Sequence, residues 1–235
     1  MRRLLLLLLC CPLLMGAASR SFDGTDDVIS MGNTNVVTTG NVTVSLWVKT
    51  TEDASTDFFI GKKPDVGAVA AGYVMREGTG DLSACGVADG VVFTGCGGGT
   101  TDLDGAWNYV SLVWNGTSDV ATNYVNAVSE NSGTAATGSL SNAGNFTVGE
   151  DSSGNNDMAG LAAYGSMHAA ALTVVELTEM RWQVCSIPAN LGGCWPLWGD
   201  STEIDLSGNG VAGTVTGATT STDGPPTMVG GYLPL

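Results

Sequence analysis

Alternation of apolar and polar side chains is the feature that most constrains how this chain folds. In the segment 42–49 (VTVSLWVK), valine or leucine occupies every second position. Successive side chains of a β-strand point to opposite faces, so a period of two predicts a strand with two unlike faces. The segment 107–114 (WNYVSLVW) is apolar on both faces, which is typical of a central strand that is covered on both sides.

Turn signals between the predicted strands indicate the fold class. Asn115-Gly116 follows the segment 107–114, and the segment 123–128 (NYVNAV) is the predicted hairpin partner. The 235 residues include 34 glycines, and only 13% are charged, a composition that favours short strands and tight turns over helices. We therefore predict an all-β fold in which two antiparallel sheets pack as a sandwich.

One short helix is predicted within this β-rich chain. Thr173 and Glu176 have the spacing of a capping box, in which each side chain satisfies a free backbone N–H at the start of a helix. Leu172 and Leu177 flank the cap at the positions of a hydrophobic staple. We expect the helix to run from Val174 to about Trp182.

Residues 1–19 have the pattern of a secretory signal peptide. Arg2 and Arg3 precede an apolar run over 4–15, and small residues follow at 16–19. The run is shorter than the roughly 20 residues that span a bilayer. We expect cleavage after Ala18 or Ser19, and a secreted, extracellular protein without a membrane span after processing.

The remainder is predicted to form one domain over 20–218, followed by a tail over 219–235. The tail is rich in turn-forming residues, including Pro225 and Pro226. Two interpretations of the tail remain open, a loose arm and a strand that wraps onto the sandwich.

Four cysteines remain once the leader is removed. Four cysteines permit three pairings. Local pairing is favoured, because Cys85 and Cys96 flank the hairpin turn signal Asp89-Gly90. We therefore predict the disulfides Cys85–Cys96 and Cys185–Cys194, which the export signal favours, with four buried thiols as the alternative.

The charge of the chain excludes two classes of partner. The formal net charge is -15, from 23 acidic and 8 basic residues. A surface of this sign repels the phosphates of nucleic acids and of anionic membranes, so we predict neither as a partner. It suits solubility or the binding of cations.

Several short motifs occur in an order that identifies a family. The motifs are 21–28 (SFDGTDDV), 42–49 (VTVSLWVK), 105–114 (GAWNYVSLVW), 146–150 (FTVGE) and 172–176 (LTVVE). Together they resemble the laminin-G-like, concanavalin A-like lectin/glucanase domains. The resemblance implies a jelly-roll sandwich, often with calcium, that serves recognition or adhesion. The segment 205–210 (DLSGNG) resembles one that usually precedes the opening strand, so the chain resembles a circular permutation of the family.

The resemblance does not extend to the catalytic carboxylates of related glucanases. Those enzymes carry two glutamates that flank an aspartate on one strand, and retaining hydrolysis needs both carboxyl groups. Glu203-Ile204-Asp205 matches the first half, but the position of the second glutamate is occupied by Ser207 or Gly208. His168, the only histidine, lies among apolar residues and is predicted to be a packed strand residue. We predict a protein that is not an enzyme.

Calcium is the cofactor for which the sequence offers ligands. If the last strand packs beside the first, as the resemblance implies, Asp205 and Asn209 would approach Asp23, Asp26 and Asp27. Hard cations prefer carboxylate, amide and carbonyl oxygens of this kind. The alternative is that these residues only build turns. The family often has an acidic residue near position 163, where this chain has alanine.

Aromatic residues supply candidate ligand-binding positions. Trp47, Trp195 and Trp198 have rings that could stack on sugars, although such rings more often pack in the core. Trp198 lies beside Asp200 in a loop, and these two residues are the predicted ligand-binding pair.

Two functions from different classes remain open. The first is a non-catalytic extracellular recognition or adhesion module that binds glycan or another surface protein. The second is a structural subunit of an extracellular assembly (surface layer, filament or virion) built from copies of the chain. An aromatic-lined groove would favour the first function, and a tail that reaches a neighbouring copy would favour the second.

Overall fold

A computed structural model describes residues 19–33, 40–51, 56–63, 70–78, 83–90, 93–134, 139–183, 185–187, 190–199 and 201–226. Residues 1–18 of the predicted leader 1–19 therefore lie outside the described residues, as does the end of the predicted tail, whereas Ser19 is the first residue of a strand. Two eight-stranded sheets and one short helix make up the described fold, and every strand pairing within the sheets is antiparallel. The predicted all-β jelly-roll sandwich is confirmed.

The first sheet has the nine-residue strand β3 near its centre. Its strands are, in spatial order, β10 (Val128–Thr134), β9 (Val120–Val125), β8 (Asn108–Asn115), β3 (Val42–Thr50), β12 (Ala159–His168), β1 (Ser19–Asp23) and β16 (Thr219–Ser221), while β13 (Leu191–Trp195) pairs with β12 beyond the end of β1.

The second sheet covers the inner face of the first. Its strands are, in spatial order, β14 (Thr202–Glu203), β15 (Gly213–Thr216), β2 (Val28–Ser30), β11 (Thr147–Val148), β4 (Phe58–Lys62), β5 (Gly72–Glu77), β6 (Ser83–Ala88) and β7 (Phe93–Cys96).

The alternating pattern of β3 places its aliphatic side chains in the core between the sheets. Val42, Val44, Leu46 and Val48 are fully buried there. Each such side chain contributes roughly 1.5–3 kcal/mol when it leaves water. The opposite face of β3 is also covered, because Trp47 belongs to a second apolar cluster on the outer face of the sheet.

The helix forms that second layer. Helix α1 (Val174–Trp182) begins at Thr173, and both hydrogen bonds of the predicted capping box are present. Leu177 and Met180 pack with Trp47 and Tyr109 in the second cluster, so α1 lies against the outer face of the first sheet. The predicted bounds of the helix are confirmed.

One strand prediction was wrong at its end. The segment 123–128 was expected to be one strand, but β9 ends at Val125 and β10 begins at Val128. Asn126 and Ala127 lie between them with φ values of 54° and 64°. Left-handed conformations at both central residues are those of a type I′ hairpin turn, which matches the twist of the flanking strands.

The C-terminal third of the chain completes both sheets. β15 pairs with β2 in the second sheet, and β16 pairs with β1 in the first. The start of the predicted tail, 219–221, is therefore a strand of the sandwich. The circular permutation itself stays a prediction.

Both predicted disulfides are present. Cys85 and Cys96 lie directly opposite each other on β6 and β7, with Cα atoms 4.9 Å apart. The Cα atoms of Cys185 and Cys194 are 6.0 Å apart. Among the described residues, the structure contains no helix that combines the length and the apolar character needed to cross a membrane.

Candidate functional site

A groove of about 360 Å³ runs along the outer face of the first sheet beside the start of α1. Strands β8 and β9 form its floor, and the segment 171–173 forms one wall. The residues that line it are Val113, Asn115, Ser118, Val120, Thr122, Tyr124, Ala171, Leu172 and Thr173. None of these residues is charged, so the groove presents apolar surface and neutral polar groups.

The groove contains hydrogen-bonding groups that the fold leaves available. In the part of the chain that the structure describes, the hydroxyl groups of Thr122 and Tyr124 make no hydrogen bond. The side-chain oxygen of Asn115 accepts from the backbone N–H of Thr117 and Ser118 at 3.0 and 3.3 Å. Its amide nitrogen is therefore held in a fixed direction by the turn and remains available as a donor.

The wall of the groove is fixed to the sheet by Thr43. The Thr43 hydroxyl donates to the carbonyl of Ala170 at 2.7 Å and accepts from the N–H of Leu172 at 3.1 Å. The segment then enters the capping box, where the N–H of Thr173 donates to the Glu176 carboxylate at 2.7 Å. These bonds keep the wall at a constant position relative to the floor.

The predicted ligand-binding residue Trp198 lies elsewhere, outside the lining of this groove. Its side chain is 41% exposed. Its ring meets that of Tyr164 edge-on, with centroids 5.4 Å apart. Asp200, predicted as its partner, lies outside the described residues. The other two candidate tryptophans, Trp47 and Trp195, are buried and have no face free for a ligand.

Glu203, the first residue of the glucanase-like motif, is fully buried. Its Oε1 lies 2.6 Å from Nε of Arg20, which joins β14 of one sheet to β1 of the other. Its Oε2 accepts from the N–H groups of Trp198 and Gly199 at 3.2 and 3.1 Å. Both oxygens are thus occupied by structural contacts.

Asp205 and Asn209, the two predicted calcium ligands from the C-terminal part of the chain, lie in the loop 205–211 beside β13, and their part in a calcium site stays a prediction. Asp205 accepts backbone N–H groups from Cys194, Ser207 and Val211 at 2.9–3.1 Å. Asn209 donates to the carbonyl of Leu191 at 2.8 Å. Both side chains hold the loop 205–211 against β13, because short polar side chains satisfy turn backbone more readily than they reach across the sandwich.

The three N-terminal aspartates, by contrast, do lie together. One carboxylate oxygen from each of Asp23, Asp26 and Asp27 lies within 4.8 Å of the others. Burial raises the pKa of Asp27, and the charges of Asp23 and Asp26 add to the rise. Carboxylates that repel one another in this way are a donor set that suits a hard cation.

Two more acidic side chains extend this cluster. Burial raises the pKa of Glu150, and the charges of Asp157, Asp151 and Asp26 raise it further. Burial likewise raises the pKa of Asp157, with contributions from Asp151, Asp26 and Asp23. Neither Glu150 nor Asp157 was predicted from the sequence, although Glu150 ends one of the family motifs.

His168 is fully buried, as predicted for a packed strand residue. Its Nε2 lies 3.1 Å from the carbonyl oxygen of Ile187. Burial lowers the pKa of His168 below the ordinary value of 6.5. The ring is therefore neutral at neutral pH and has no path to solvent.

Comparison with known proteins agrees with this architecture. The family model of the concanavalin A-like lectin/glucanases superfamily matches residues 23–177. The match covers more than half of the chain, and the protein belongs to this superfamily. No curated protein sequence matches the chain.

Solved structures with the same fold share little sequence with this chain. A putative carbohydrate binding protein from Bacteroides ovatus ATCC 8483 superposes with a TM-score of 0.69 at 14% identity, covering 91% of this chain and 62% of its own. Domain 4 of AbnA, an extracellular arabinanase from Geobacillus stearothermophilus in complex with arabinotriose, has a TM-score of 0.51 at 18% identity and covers 69% of this chain and 75% of its own. The CBM40 of the Ruminococcus gnavus IT-sialidase has a TM-score of 0.52 at 11% identity and covers 69% of this chain and 97% of its own.

Proposed function

We propose that this chain is an exported, non-catalytic module that binds glycan in the groove beside α1. The observation that carries the proposal is the composition of the groove. It combines the side chain of Tyr124 with apolar walls and several neutral hydrogen-bonding groups, and it contains no charged side chain. Sugars present the same combination, since their C–H faces pack on apolar surfaces and their hydroxyls need fixed donors and acceptors.

Three further observations support this function. The chain belongs to the concanavalin A-like superfamily and has the same fold as the carbohydrate-binding proteins named above. The two disulfides agree with an extracellular location. The carboxylates of the glucanase-like motif hold the sandwich together, which favours recognition over hydrolysis.

A glycan array probed with the mature protein tests the proposal. We expect binding to a limited set of oligosaccharides that is lost in Tyr124→Leu, which keeps the apolar packing and removes the ring and hydroxyl. Tyr164→Leu is the matched control, because Tyr164 is also half-buried and packs against the same apolar cluster. An array with no bound glycan would contradict the function, and equal binding by Tyr124→Leu would place the ligand outside the groove.

We also propose calcium as a stabilising ion at Asp23, Asp26 and Asp27, with Glu150 and Asp157 nearby. An ion that binds only the folded state raises the melting temperature as its concentration rises. We expect calcium to raise the midpoint of a thermal melt relative to chelator, and Asp26→Asn to reduce that shift. In Asp205→Asn, calcium should raise the melting midpoint by the same amount as in the wild type, when each protein is compared with its own midpoint in chelator. Identical midpoints with calcium and with chelator would contradict the proposal.

A further inference from the structure

We propose that the glycans recognised by this chain are uncharged, and that sialylated, uronate-containing and sulfated glycans are excluded. The inference rests on the proposed glycan-binding function and specifies its ligand class. It follows from the positions of the positive charges. After residue 18 the sequence has only six lysines and arginines, which are Arg20, Lys49, Lys62, Lys63, Arg76 and Arg181. All six lie in the described part of the chain.

Three of the six cations are buried. Arg20 forms the ion pair with Glu203 and donates further to the carbonyl groups of Gly199 and Ala218. Lys62 is 2% exposed and donates to the side-chain oxygen of Asn33. Lys63 is fully buried and donates to the carbonyl of Ala70 at 2.9 Å. A ligand at the surface therefore does not reach these charges.

The other three cations are engaged by neighbouring groups. Lys49 lies 2.8 Å from the Asp223 carboxylate. Arg76 is half-buried and donates to the carbonyl of Glu77 at 3.3 Å. The guanidinium of Arg181 lies over the ring of Trp47, with a centroid distance of 5.6 Å, and also over that of Trp182 at 4.8 Å.

None of these cations lines the groove, whereas two acidic residues are direct neighbours of lining residues, one in sequence and one through a hydrogen bond. Asp119 follows Ser118 in the turn between β8 and β9. Glu176 is hydrogen-bonded to Thr173 at the opposite wall. An anionic sugar entering the groove would lose part of its hydration without gaining a charge-assisted hydrogen bond, and it would face a protein with 23 acidic residues. One charge-assisted hydrogen bond between ligand and protein lowers the dissociation constant by about tenfold to a hundredfold.

The test compares neutral glycans with versions of the same glycans that differ only by a sialic acid, a uronate or a sulfate. Mature protein is applied to the paired array in calcium and again in chelator, and a known sialic-acid-binding protein confirms that the anionic glycans are accessible. We expect binding to neutral members at least about tenfold stronger than to their anionic partners in both buffers. Comparable or stronger binding to the anionic partners in either buffer would overturn this inference and leave the glycan-binding function intact. Binding to no glycan of either kind would overturn both.

Discussion

Individual charged residues in this chain have roles that their sequence context does not reveal. Glu203 stands in a segment that resembles half of a glucanase motif, yet it is buried against Arg20 and accepts two backbone N–H groups. A carboxylate that is removed from water needs such partners, and a cation on a distant strand supplies the main one. The partner is 183 residues away in sequence, so no local pattern predicts the pair.

The first prediction concerns this ion pair. Glu203→Gln leaves the buried Arg20 guanidinium without its counter-charge, and we expect it to lower the free energy of unfolding by about 3–5 kcal/mol. Lys49→Met is the control, because the Lys49–Asp223 pair is exposed and should contribute less than about 1 kcal/mol. Urea denaturation measures both values. An equal loss of unfolding free energy in the two variants would show that the buried pair stabilises the fold no more than the exposed pair does.

A second prediction at this scale concerns the single histidine. The pKa of His168 is lowered in the folded state by burial, so the folded state binds this proton more weakly than the unfolded state does. The stabilising contribution of the neutral ring is present above pH 6.5 and is lost as the pH falls through the folded pKa. An NMR titration of the one histidine signal should give a midpoint below 6.5. A midpoint at or above 6.5 would contradict the burial of the ring.

At the scale of elements, local chemistry explains which predictions succeeded. Helix α1 was predicted residue for residue, because Thr173 and Glu176 carry the cap within one turn of sequence. The end of β9 was missed because its turn uses Ala127, a residue whose side chain gives no sign of positive φ. The pairing of Cys85 with Cys96 was predictable because the hairpin between them is short.

The third prediction tests the cap of α1. Thr173→Ala removes the hydroxyl that accepts from the N–H of Glu176, and we expect a loss of about 1 kcal/mol in the free energy of unfolding. For a domain of this size that loss lowers the melting temperature by about 2–4 °C. Thr178→Ala, in the exposed middle of the same helix, should leave stability unchanged or slightly raised, since alanine is the better helix former.

Across the whole molecule, the fold was accessible from the sequence and the groove was not. The ordered motifs that resemble the family imply the sandwich, and the alternation over 42–49 predicts one of its strands. The groove requires β8 and β9 to meet the segment 171–173, which follows β9 by some fifty residues. Its lining occupies alternate positions on the outer face of two strands, and that periodicity is the one signal from which these lining residues could have been found.

The N-terminal acidic cluster also combines residues that are far apart in sequence. Asp23, Asp26 and Asp27 are close in sequence and were recognised together. Asp157 joins them because β12 pairs with β1, which places Ala159 opposite Asp23. Asp205 was predicted as a further ligand, and in the structure both of its carboxylate oxygens accept backbone N–H groups.

Calorimetric titration of the mature protein with the neutral oligosaccharide that binds most strongly on the array tests directly whether the groove is the glycan site. We expect saturable binding by the wild type and by Tyr164→Leu. We expect at least about tenfold weaker binding by Tyr124→Leu at unchanged melting temperature, the loss of affinity that follows when a buried ligand contact disappears. Wild-type affinity in Tyr124→Leu, or loss of binding in Tyr164→Leu alone, would contradict the assignment of the groove as the glycan site.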